Sequence, residues 1–542
     1  MKKPSPTHVV PSFDSFSTLA EKFNRIPLSV AFQADLETPL SAYLKLAKGA
    51  NGFLLESVEK NEQMARYSIV GFSPSGIFEA KNGTLAESKG TKKTTTKHSN
   101  PLKLIQERAA AIRQAPLEGA TGFLGGIVGF IGYDAVRNFE KLPATAPDIL
   151  QVPDLYLMVT DHLALFDHMK RTLHLIVNVP IDAKTNLKKA YAEAVKELGK
   201  LSKELEKPLK GVAEIPAGAL VKPGPNDLFG FQANMEPEDY QDMVMKSKEY
   251  IKAGDIIQVV GSQRFEKEVA TDAVTIYRVL RRLNPSPYMF IIKAGDTELV
   301  GSSPEMMIKV QNGIVETRPI AGSRPRGKSP EEDQALAAEL LKDEKELAEH
   351  VMLVDLARND LGRVCDYATV KVNQFERIER YSHIMHIVSD VTGRLKKDKT
   401  AYDAFQACFP AGTLSGAPKI RAMEIIEELE PSRRGLYGGA VVAFGFDGNM
   451  DSAITIRSTV LKRSKGKLMA YVQAGAGLVA DSVPRSEYME CCNKARAVLM
   501  AIHQAEKVGT NDRHEGTKSR RKTLGRKKQR PRSGSKRTGG AK

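Results

Sequence analysis

The chain has 542 residues, of which 42% are hydrophobic and 27% charged, so it can bury a large core arranged in more than one lobe. Four cysteines without a C-x-x-C pair favour a reducing compartment over secretion. The longest apolar stretch, residues 122–132, is too short and too rich in glycine to cross a bilayer. The N-terminus lacks the apolar core of a signal peptide, so we expect a soluble, cytoplasmic protein.

The net charge of +15 is concentrated near the C-terminus. Residues 511–542 contain 13 Lys/Arg against Asp512 and Glu515, which leaves only +4 for the other 510 residues. This segment has almost no apolar residue, so the sequence predicts a disordered basic tail over 507–542. Two functions stay open for it: a solvated extension outside the chemistry, or an arm that binds RNA, ribosomes or an acidic partner. No aromatic residue interrupts the tail to stack on bases.

The rest of the chain alternates strands with amphipathic helices. Helices are predicted over residues 36–49, 185–207, 236–255, 341–364, 401–408 and 481–504. Strands are predicted within residues 52–58, 65–74, 155–179, 256–265, 286–323 and 435–480. The strands follow one another through short turns, which favours antiparallel sheets with helices packed outside them. A Pro/Gly-rich linker at 216–227 places a boundary near residue 230, and no internal repeat is visible.

The helix predicted over 341–364 carries two carboxylates beside an apolar run. Glu346 and Glu349 are three residues apart, a helical spacing that brings side chains to about 5–6 Å, where like charges repel. The following residues, 351–354, are all apolar, so the helix enters a core where an unpaired carboxylate is costly. A solvated charged face or a bound cation would each resolve the conflict.

A second pair of carboxylates lies in the helix predicted over 481–504. Glu487 and Glu490 are again three apart, and Lys494 follows Glu490 by four. Two E-x-x-E pairs, each beside a buried helical face, could hold one hard cation such as Mg²⁺, which prefers oxygen ligands and retains waters. Sequence spacing does not decide whether the two pairs meet.

Two glycine motifs resemble nucleotide-binding loops without fitting them. The segment Gly475 to Ala480 has the form G-x-G-x-x-A, but no helix opens directly after it. The segment GTLSGAPK at 412–419 lacks the G-K-[ST] ending of a phosphate loop. Dinucleotide binding is therefore disfavoured, whereas tight turns that offer N–H groups to an anion remain an option.

The second half contains a dense series of longer motifs: GDIIQVVGSQRF, NPSPYMF, GSSPE, TRPIAGSRPRG, AEHVMLVDLARNDLGRV, YSHIMHIVSDV, FPAGTLSGAPKIRAMEII, QAGAGLVADS and EYMECCNKARA. Together they resemble the chorismate-utilising enzymes, and most closely the large subunits (component I) of anthranilate synthases, from about residue 20 to 505. The resemblance implies an α+β fold of two packed antiparallel β-sheets flanked by helices. It also implies an N-terminal region over 1–230 with a tryptophan site and a chorismate-binding catalytic domain over 231–506.

The resemblance assigns roles to individual residues. It implies Mg²⁺ ligation by Glu349 and Glu490, with Glu346 and Glu487 beside them. Three positions match catalytic residues, namely Glu305, which would help the C4 hydroxyl leave, His386, as acid/base or orienting group, and Ser323. The positions that match substrate-binding residues are Gly322, Ser323, Thr413, Tyr437, Arg457, Gly475, Ala476, Gly477 and Lys494. Ser323 replaces a usual threonine, and Arg485, close to Glu487, stands where relatives often have an acidic or neutral residue.

Two positions bear on the nucleophile that attacks chorismate. Relatives that add water carry a lysine at Gln258, and aminodeoxychorismate synthases usually carry a lysine at Ala321. Neither lysine is present, so ammonia is expected to attack C2 directly, and loss of pyruvate then yields anthranilate, the first step of tryptophan biosynthesis from chorismate. The alternatives are an aminodeoxychorismate or aminodeoxyisochorismate synthase, or a degenerate fold that binds nucleic acid through the tail.

The resemblance also implies partners and regulation. No glutaminase segment is present, so a separate glutamine amidotransferase subunit (component II) would supply ammonia, within a heterotetramer. The residues that match the family's tryptophan site are Glu56, Ser57, Pro287, Tyr288 and Met289. Feedback inhibition by tryptophan is expected if the ligand favours one of two states.

Overall fold

The computed structural model describes residues 9–57, 66–215, 224, 227–381, 384–525 and 539–540, and side chains up to residue 508 in the last helix. In this part of the chain, eleven α-helices are present: α1 Phe13–Ala20, α2 Pro39–Leu46, α3 Pro101–Ala110, α4 Leu187–Leu205, α5 Pro237–Lys252, α6 Ala273–Leu283, α7 Pro330–Leu340, α8 Glu344–Gly362, α9 Ala401–Cys408, α10 Lys419–Leu429 and α11 Pro484–Gly525. Within the described ranges, no helix is long and apolar enough to cross a bilayer.

The six helices predicted in the preceding section are confirmed by α2, α4, α5, α8, α9 and α11. Helix α2 begins at Pro39, three residues after its predicted start, because the Thr38 side chain accepts a hydrogen bond from the Ser41 N–H and Pro39 occupies the first turn. Helix α8 has a similar start, at which Asp343 accepts from the N–H groups of Lys345 and Glu346.

The strands fall mostly within the predicted segments. In chain order they are β1 Arg25–Gln33, β2 Asn51–Glu56, β3 Tyr67–Phe72, β4 Gly76–Lys81, β5 Thr84–Lys89, β6 Lys92–Lys97, β7 Gly126–Ile131, β8 Leu155–Thr160, β9 His162–Asp167, β10 Thr172–Pro180, β11 Gln232–Ala233, β12 Gln258–Glu268, β13 Tyr288–Ala294, β14 Thr297–Ser303, β15 Met306–Gln311, β16 Ile314–Thr317, β17 Ile320–Pro325, β18 Lys371–Arg380, β19 Ile384–Arg394, β20 Gly416–Ala417, β21 Ala440–Gly445, β22 Met450–Ile454, β23 Ser458–Ser464 and β24 Lys467–Leu478.

These strands form two large sheets in which neighbouring strands are antiparallel. Sheet A has the order β1-β10-β9-β3-β2-β13-β14-β23-β24-β12-β11, with β20 beside β12. Sheet B has the order β17-β19-β16-β15-β22-β21-β7-β8-β4-β5-β6, with β18 beside β19. The predicted fold class, two antiparallel sheets flanked by helices, is confirmed.

Three apolar clusters lie between four layers of secondary structure. One cluster lies between the sheets and joins residues of sheet A, such as Phe53 and Phe290, to residues of sheet B, such as Phe130 and Val441. A second cluster covers the outer face of sheet A with α1, α2, α4, α5, α6, α10 and α11. A third covers the outer face of sheet B with α3, α8 and α9. The order is therefore helices, sheet, sheet, helices.

The strand orders contain an internal repeat that is not visible in the sequence. In sheet A, the N-terminal series β1-β10-β9-β3-β2 meets the C-terminal series β13-β14-β23-β24-β12, which has the same connections in reversed order. In sheet B, β7-β8-β4-β5 and β16-β15-β22-β21 correspond in the same way. Two halves of the chain thus repeat one topology and meet at the middle of both sheets.

The predicted boundary near residue 230 falls between these halves, in a linker of which residues 216–223 and 225–226 lie outside the described residues. Helix α11 continues to Gly525 and so extends into the segment for which a disordered tail is predicted from residue 507. Residues 526–538 and 541–542 lie outside the described residues. The disordered basic tail, and any binding of nucleic acid by it, stay predictions.

Candidate active site

The site lies where the C-terminal half passes twice between the sheets. The chain leaves sheet A after β14 and enters sheet B at β15, and Glu305 lies in this passage. It returns from β22 to β23 through Arg457. The two passages are joined by hydrogen bonds from the Ile454 N–H to the Glu305 carbonyl (3.1 Å) and from the Ser302 N–H to the Arg457 carbonyl (3.1 Å). We call this pair of passages the C-terminal crossover.

A hydrogen bond from Thr413 holds the carboxyl group of Glu305. The Thr413 hydroxyl, in a 3-10 turn over Gly412–Leu414, donates to Glu305 Oε1 at 2.9 Å. Burial raises the pKa of Glu305 to about 7, although the Thr413 bond and the charge of Lys494 act in the opposite direction. A carboxylic acid with this pKa can donate a proton near neutral pH.

Arg457 places a cation in the same crossover. Its φ of 51° lies in the left-handed region that few non-glycine residues adopt. Nη1 donates to the Lys494 carbonyl at 2.5 Å, and no carboxylate of the described residues lies within ion-pair distance of the guanidinium. Burial lowers its pKa, with Tyr437 and Glu490 acting in the opposite direction. A half-buried guanidinium without a carboxylate partner among the described residues favours an anionic ligand.

Strand β24 carries two of the glycines that are predicted to bind substrate. In its pairing with β12, Gly475 lies opposite Ser262 and Gly477 opposite Val260. A Cβ on Gly475 would stand 3.0 Å from the Tyr437 hydroxyl, and one on Gly477 would stand 2.4 Å from Gln258 Nε2. The side chain of Ala476 points to the other face, into the core under the helices, so only its backbone faces the site.

The four predicted glutamates lie on α8 and α11. Glu349 Oε1 accepts from Gln258 Nε2 at 3.2 Å, and Glu490 Oε1 accepts from Lys494 at 2.7 Å. Burial raises the pKa of Glu346, and the charge of Glu349 adds to it.

The second outer glutamate behaves similarly. Burial raises the pKa of Glu487, and the charge of Glu490 adds to it. The Ser482 hydroxyl, which donates to Glu487 at 2.8 Å, and the charge of Lys345 on α8 oppose this increase. Because Lys345 belongs to the other helix, its effect indicates that the acidic faces of α8 and α11 approach each other.

The four glutamates are the type of ligand that a hard cation binds. No group of three or more acidic, histidine or cysteine side chains in the described ranges is already gathered in metal-binding geometry. Mg²⁺ uses one or two protein carboxylates and completes its shell with waters or substrate oxygens. Glu349 and Glu490, on two facing helices, supply these donors. The raised pKa values of Glu346 and Glu487 beside them reflect burial and an excess of negative charge that a cation would offset, so the residues fit the ion.

His386 lies opposite Ser323 in the pairing of β19 with β17. Its Nδ1 is 2.9 Å from the Ser323 hydroxyl and 3.2 Å from the Gly322 carbonyl. A carbonyl only accepts, so Nδ1 carries the proton and Nε2 is the acceptor in the neutral ring. Burial lowers the pKa of His386, with the charge of Arg457 adding to the effect, and this favours the neutral form. Gly322 has a φ of 71°, and a Cβ added to it would stand 3.2 Å from Glu346 Oε2. Strand β17 therefore lies directly beside α8.

The residues predicted to bind tryptophan are only partly brought together. Glu56, at the end of β2, lies opposite Met289 of β13, and Pro287 is buried directly before that strand. The Ser57 hydroxyl is buried without a hydrogen-bond partner among the described residues. Tyr288, however, directs its hydroxyl to Asp451 of sheet B at 3.2 Å, away from Glu56.

Sequence reasoning missed several polar side chains that complete these sites. Tyr277 and Arg281 of α6 donate to the Glu56 carboxylate, the latter at 3.5 Å. Arg434 and Glu430 form a fully buried pair behind the crossover. Arg434 follows Glu430 by four residues, a spacing that can indicate an ion pair along a helix. Helix α10 ends at Leu429, however, so the pair lies outside a helix and the spacing alone could not predict it.

Comparisons with known proteins agree with this geometry. A family profile described as chorismate binding enzyme matches residues 50–500. Anthranilate synthase component 1 of Acetivibrio thermocellus is 46% identical over 500 residues, covering 92% of this chain and 99% of that protein. Anthranilate synthase component 1 of Thermus thermophilus is 47% identical over 486 residues, covering 89% of this chain and 98% of that protein.

Solved structures show the same likeness. The crystal structure of anthranilate synthase component I from Streptococcus pneumoniae has a TM-score of 0.71 and 37% identity, covering 86% of this chain and 98% of that one. MenF, the menaquinone-specific isochorismate synthase from Escherichia coli, shares the fold at 17% identity, with a TM-score of 0.64, covering 90% of this chain and 98% of that one. The chain therefore belongs to the chorismate-binding enzyme family, among the anthranilate synthase component 1 proteins.

Proposed function

We propose that the chain converts chorismate and ammonia to anthranilate and pyruvate. One observation carries this proposal: an acid with a pKa of about 7, Glu305, and a half-buried cation, Arg457, without a carboxylate partner among the described residues, share one crossover. Chorismate needs both groups, because it carries two carboxylates and must lose a hydroxyl.

The first step replaces the C4 hydroxyl. Ammonia forms the N–C2 bond, the ring double bonds shift, and the C4–O bond breaks. Glu305 donates its proton to the departing hydroxyl, which leaves as water, and the Thr413 hydroxyl stabilises the resulting carboxylate. The ammonium proton is then lost to solvent or to a neighbouring base.

The second step expels pyruvate. Nε2 of His386 is the acceptor in the neutral ring, so it removes the C2 proton while the C3–O bond breaks and the ring becomes aromatic. The departing oxygen keeps the electron pair of the C3–O bond, and the resulting enolate of pyruvate takes up a proton at its methylene carbon to become pyruvate. Ser323, beside Nδ1, keeps the ring in this orientation.

Binding of chorismate uses the groups around β24. Arg457 forks onto one carboxylate, while the Tyr437 hydroxyl and the backbone at Gly477 lie beside it. Glu349 and Glu490 would hold Mg²⁺, which supplies charge to bind the ring carboxylate. Lys494, now paired with Glu490, adds a cation on the same side.

The nucleophile is ammonia because neither alternative amine is present. Gln258 donates to Glu349 through its amide, and an amide does not deprotonate water. Ala321 offers no group for covalent attack. Ammonia from glutamine then requires a separate amidotransferase subunit, which we propose as the partner in a heterotetramer.

Regulation and location complete the proposal. The buried Ser57 hydroxyl, which has no hydrogen-bond partner within the described part of the chain and lies next to Glu56, supports a tryptophan site at which tryptophan inhibits the enzyme. Four cysteines, all buried and free, support a reducing compartment, for which we propose the cytoplasm.

The test is incubation of the purified chain with chorismate, Mg²⁺ and an ammonium salt, with anthranilate followed by its fluorescence. We expect anthranilate and pyruvate in equal amounts, less of both with tryptophan, and none with EDTA. Chorismate consumed without anthranilate would indicate an aminodeoxy product instead. Unchanged chorismate would contradict the proposal and return the basic tail to consideration.

A further inference from the structure

Behind the crossover, one guanidinium is enclosed completely by protein. Arg434 is 2% exposed and forms a two-pronged pair with Glu430, from Nε to Oε2 at 3.0 Å and from Nη2 to Oε1 at 2.6 Å. The plane lies between two rings, 4.7 Å from the centre of Tyr133 and 5.6 Å from that of Tyr437. Charge and shape are both satisfied, so this group has no capacity left for a ligand.

The other guanidinium bonds go to backbone carbonyls of separate elements. Nη1 donates to Leu414 at 2.5 Å, and Nη2 donates to Val260 at 2.6 Å. Its partner Glu430 accepts from the N–H and hydroxyl of Ser262, at 2.9 and 2.7 Å. The pair therefore ties the 3-10 turn at 412–414 to strand β12.

Each of these contacts leads to a residue of the proposed site. Leu414 ends the turn whose Thr413 holds Glu305. Val260 and Ser262 lie opposite Gly477 and Gly475.

We propose that Arg434 is a positioning residue for this active site: it touches no substrate, but it sets the distance between the turn that holds Glu305 and the strand pair that binds the substrate. This role rests on the proposed function, since it concerns the same acid and the same strands. Lysine cannot replace it, because an ammonium lacks the planar fork that reaches two carbonyls and a carboxylate together.

The measurable consequence is a change in Glu305. The Thr413 hydroxyl favours the ionised form of Glu305, so a displaced turn weakens that bond and raises the pKa of the acid further. The charged groups around Glu305 are Lys494 of α11 and, across the cavity beside it, Arg318 and Asp360. Arg434→Lys alters none of them directly.

The experiment is an infrared titration of the full-length protein, which follows the carboxylic C=O band that disappears in Glu305→Gln. It needs no turnover, so its outcome is independent of whether the chain makes anthranilate. We expect Arg434→Lys and Thr413→Val each to move the midpoint to higher pH, and the double variant to move it no further. In the ammonia assay, Arg434→Lys should lower kcat about 10²-fold, the cost of a displaced catalytic group.

The matched control is Arg264→Lys, a buried arginine of β12 that donates to Ser432 at 3.0 Å and does not contact the turn. Its Glu305 midpoint should equal that of the unsubstituted protein. If Arg434→Lys fails to fold, Glu430→Gln is used, with the same direction expected and a smaller shift. A folded Arg434→Lys or Glu430→Gln with an unchanged midpoint would overturn the inference, as would a midpoint that moves equally in Arg264→Lys.

Discussion

The N-terminal and C-terminal halves cross between the two sheets in the same way and use the crossing differently. In the N-terminal half the passages run from β3 to β4 and from β8 to β9 through Asp161. Asp161 accepts from Arg25 at 2.9 Å and from the Ser75 hydroxyl at 2.5 Å. Ser75 also donates its N–H to the Val159 carbonyl. The charges of this N-terminal crossover neutralise each other.

In the C-terminal crossover the corresponding charges are kept apart. Within the described ranges, the hydrogen bond of the Arg457 guanidinium goes to a backbone carbonyl, and Glu305 accepts from a neutral hydroxyl. The same topology therefore supports two arrangements. In the N-terminal half it holds an ion pair, and in the C-terminal half it holds an acid, Glu305, and a cation, Arg457, that are available to a ligand. Stability comes from the first arrangement and reactivity from the second, since unpaired charges cost stability and are retained where they meet substrate.

The largest expected effect concerns Glu305. Glu305→Gln keeps the shape and removes the transferable proton, so kcat/KM should fall by about 10²–10⁴-fold. The acid acts when protonated, so the kcat/KM of the unsubstituted enzyme should fall as pH rises through about 7. Steady-state assays at a constant concentration of un-ionised ammonia measure both.

The matched control is Glu298→Gln, because burial raises the pKa of Glu298 too, outside the site. Its pH profile should keep the fall near pH 7. If that fall persisted in Glu305→Gln, another group would be the acid.

Breaking the Arg25–Asp161 ion pair of the N-terminal crossover should lower stability and leave catalysis unchanged. Arg25→Met leaves Asp161 buried without its cation, so the apparent unfolding free energy in urea should drop by about 3–5 kcal/mol. The kcat/KM of the folded fraction should not change. Arg358→Met, which breaks an exposed pair with Asp355, should cost about 1 kcal/mol or less. Equal losses in both variants would contradict the comparison.

Removing the charge of Arg457 should lower activity and leave stability unchanged, the reverse of the effect of Arg25→Met. Arg457→Met eliminates charge-assisted bonds to a substrate carboxylate, so kcat/KM for chorismate should fall about 10²–10³-fold. Because no ion pair is broken in the free protein, the urea midpoint should stay within error or rise. A lower midpoint with unchanged kcat/KM would assign Arg457 a structural role.

The smallest expected effect lies in the N-terminal half. Glu56→Gln removes the charge that Arg281 and a tryptophan ammonium would share, so the tryptophan concentration for half inhibition should rise by about tenfold or more. Inhibition curves at fixed chorismate measure it. An unchanged curve would place the tryptophan site elsewhere and leave this half with structural functions alone.

Local patterns predicted much of this molecule. The six helices predicted from their amphipathic pattern and the fold class, which followed from strands joined by short turns, are present in the structure. The E-x-x-E spacing indicated two acidic helical faces. These features depend on residues close in the chain, and therefore the sequence displays them directly.

Other predictions lacked the information that only distant contacts hold. The family motif groups Tyr288 with Glu56, and that assignment stays a prediction; what the motif did not display is that the Tyr288 side chain lies on the other face of β13, because successive side chains of a strand point to opposite faces. The internal repeat also escaped notice, since the two halves share connections and not residues.

Sequence patterns alone predicted six of the eleven helices in the described residues and most of the strands, and the motifs carried the family resemblance and the chemical types of residue available to the site. The tertiary structure sets the raised pKa of Glu305 and leaves Arg457 without a carboxylate partner among the described residues, because burial and the absence of a counter-charge are properties of the surroundings. It also decided that Asp161, in the equivalent crossover, is neutralised by Arg25, 136 residues away along the chain.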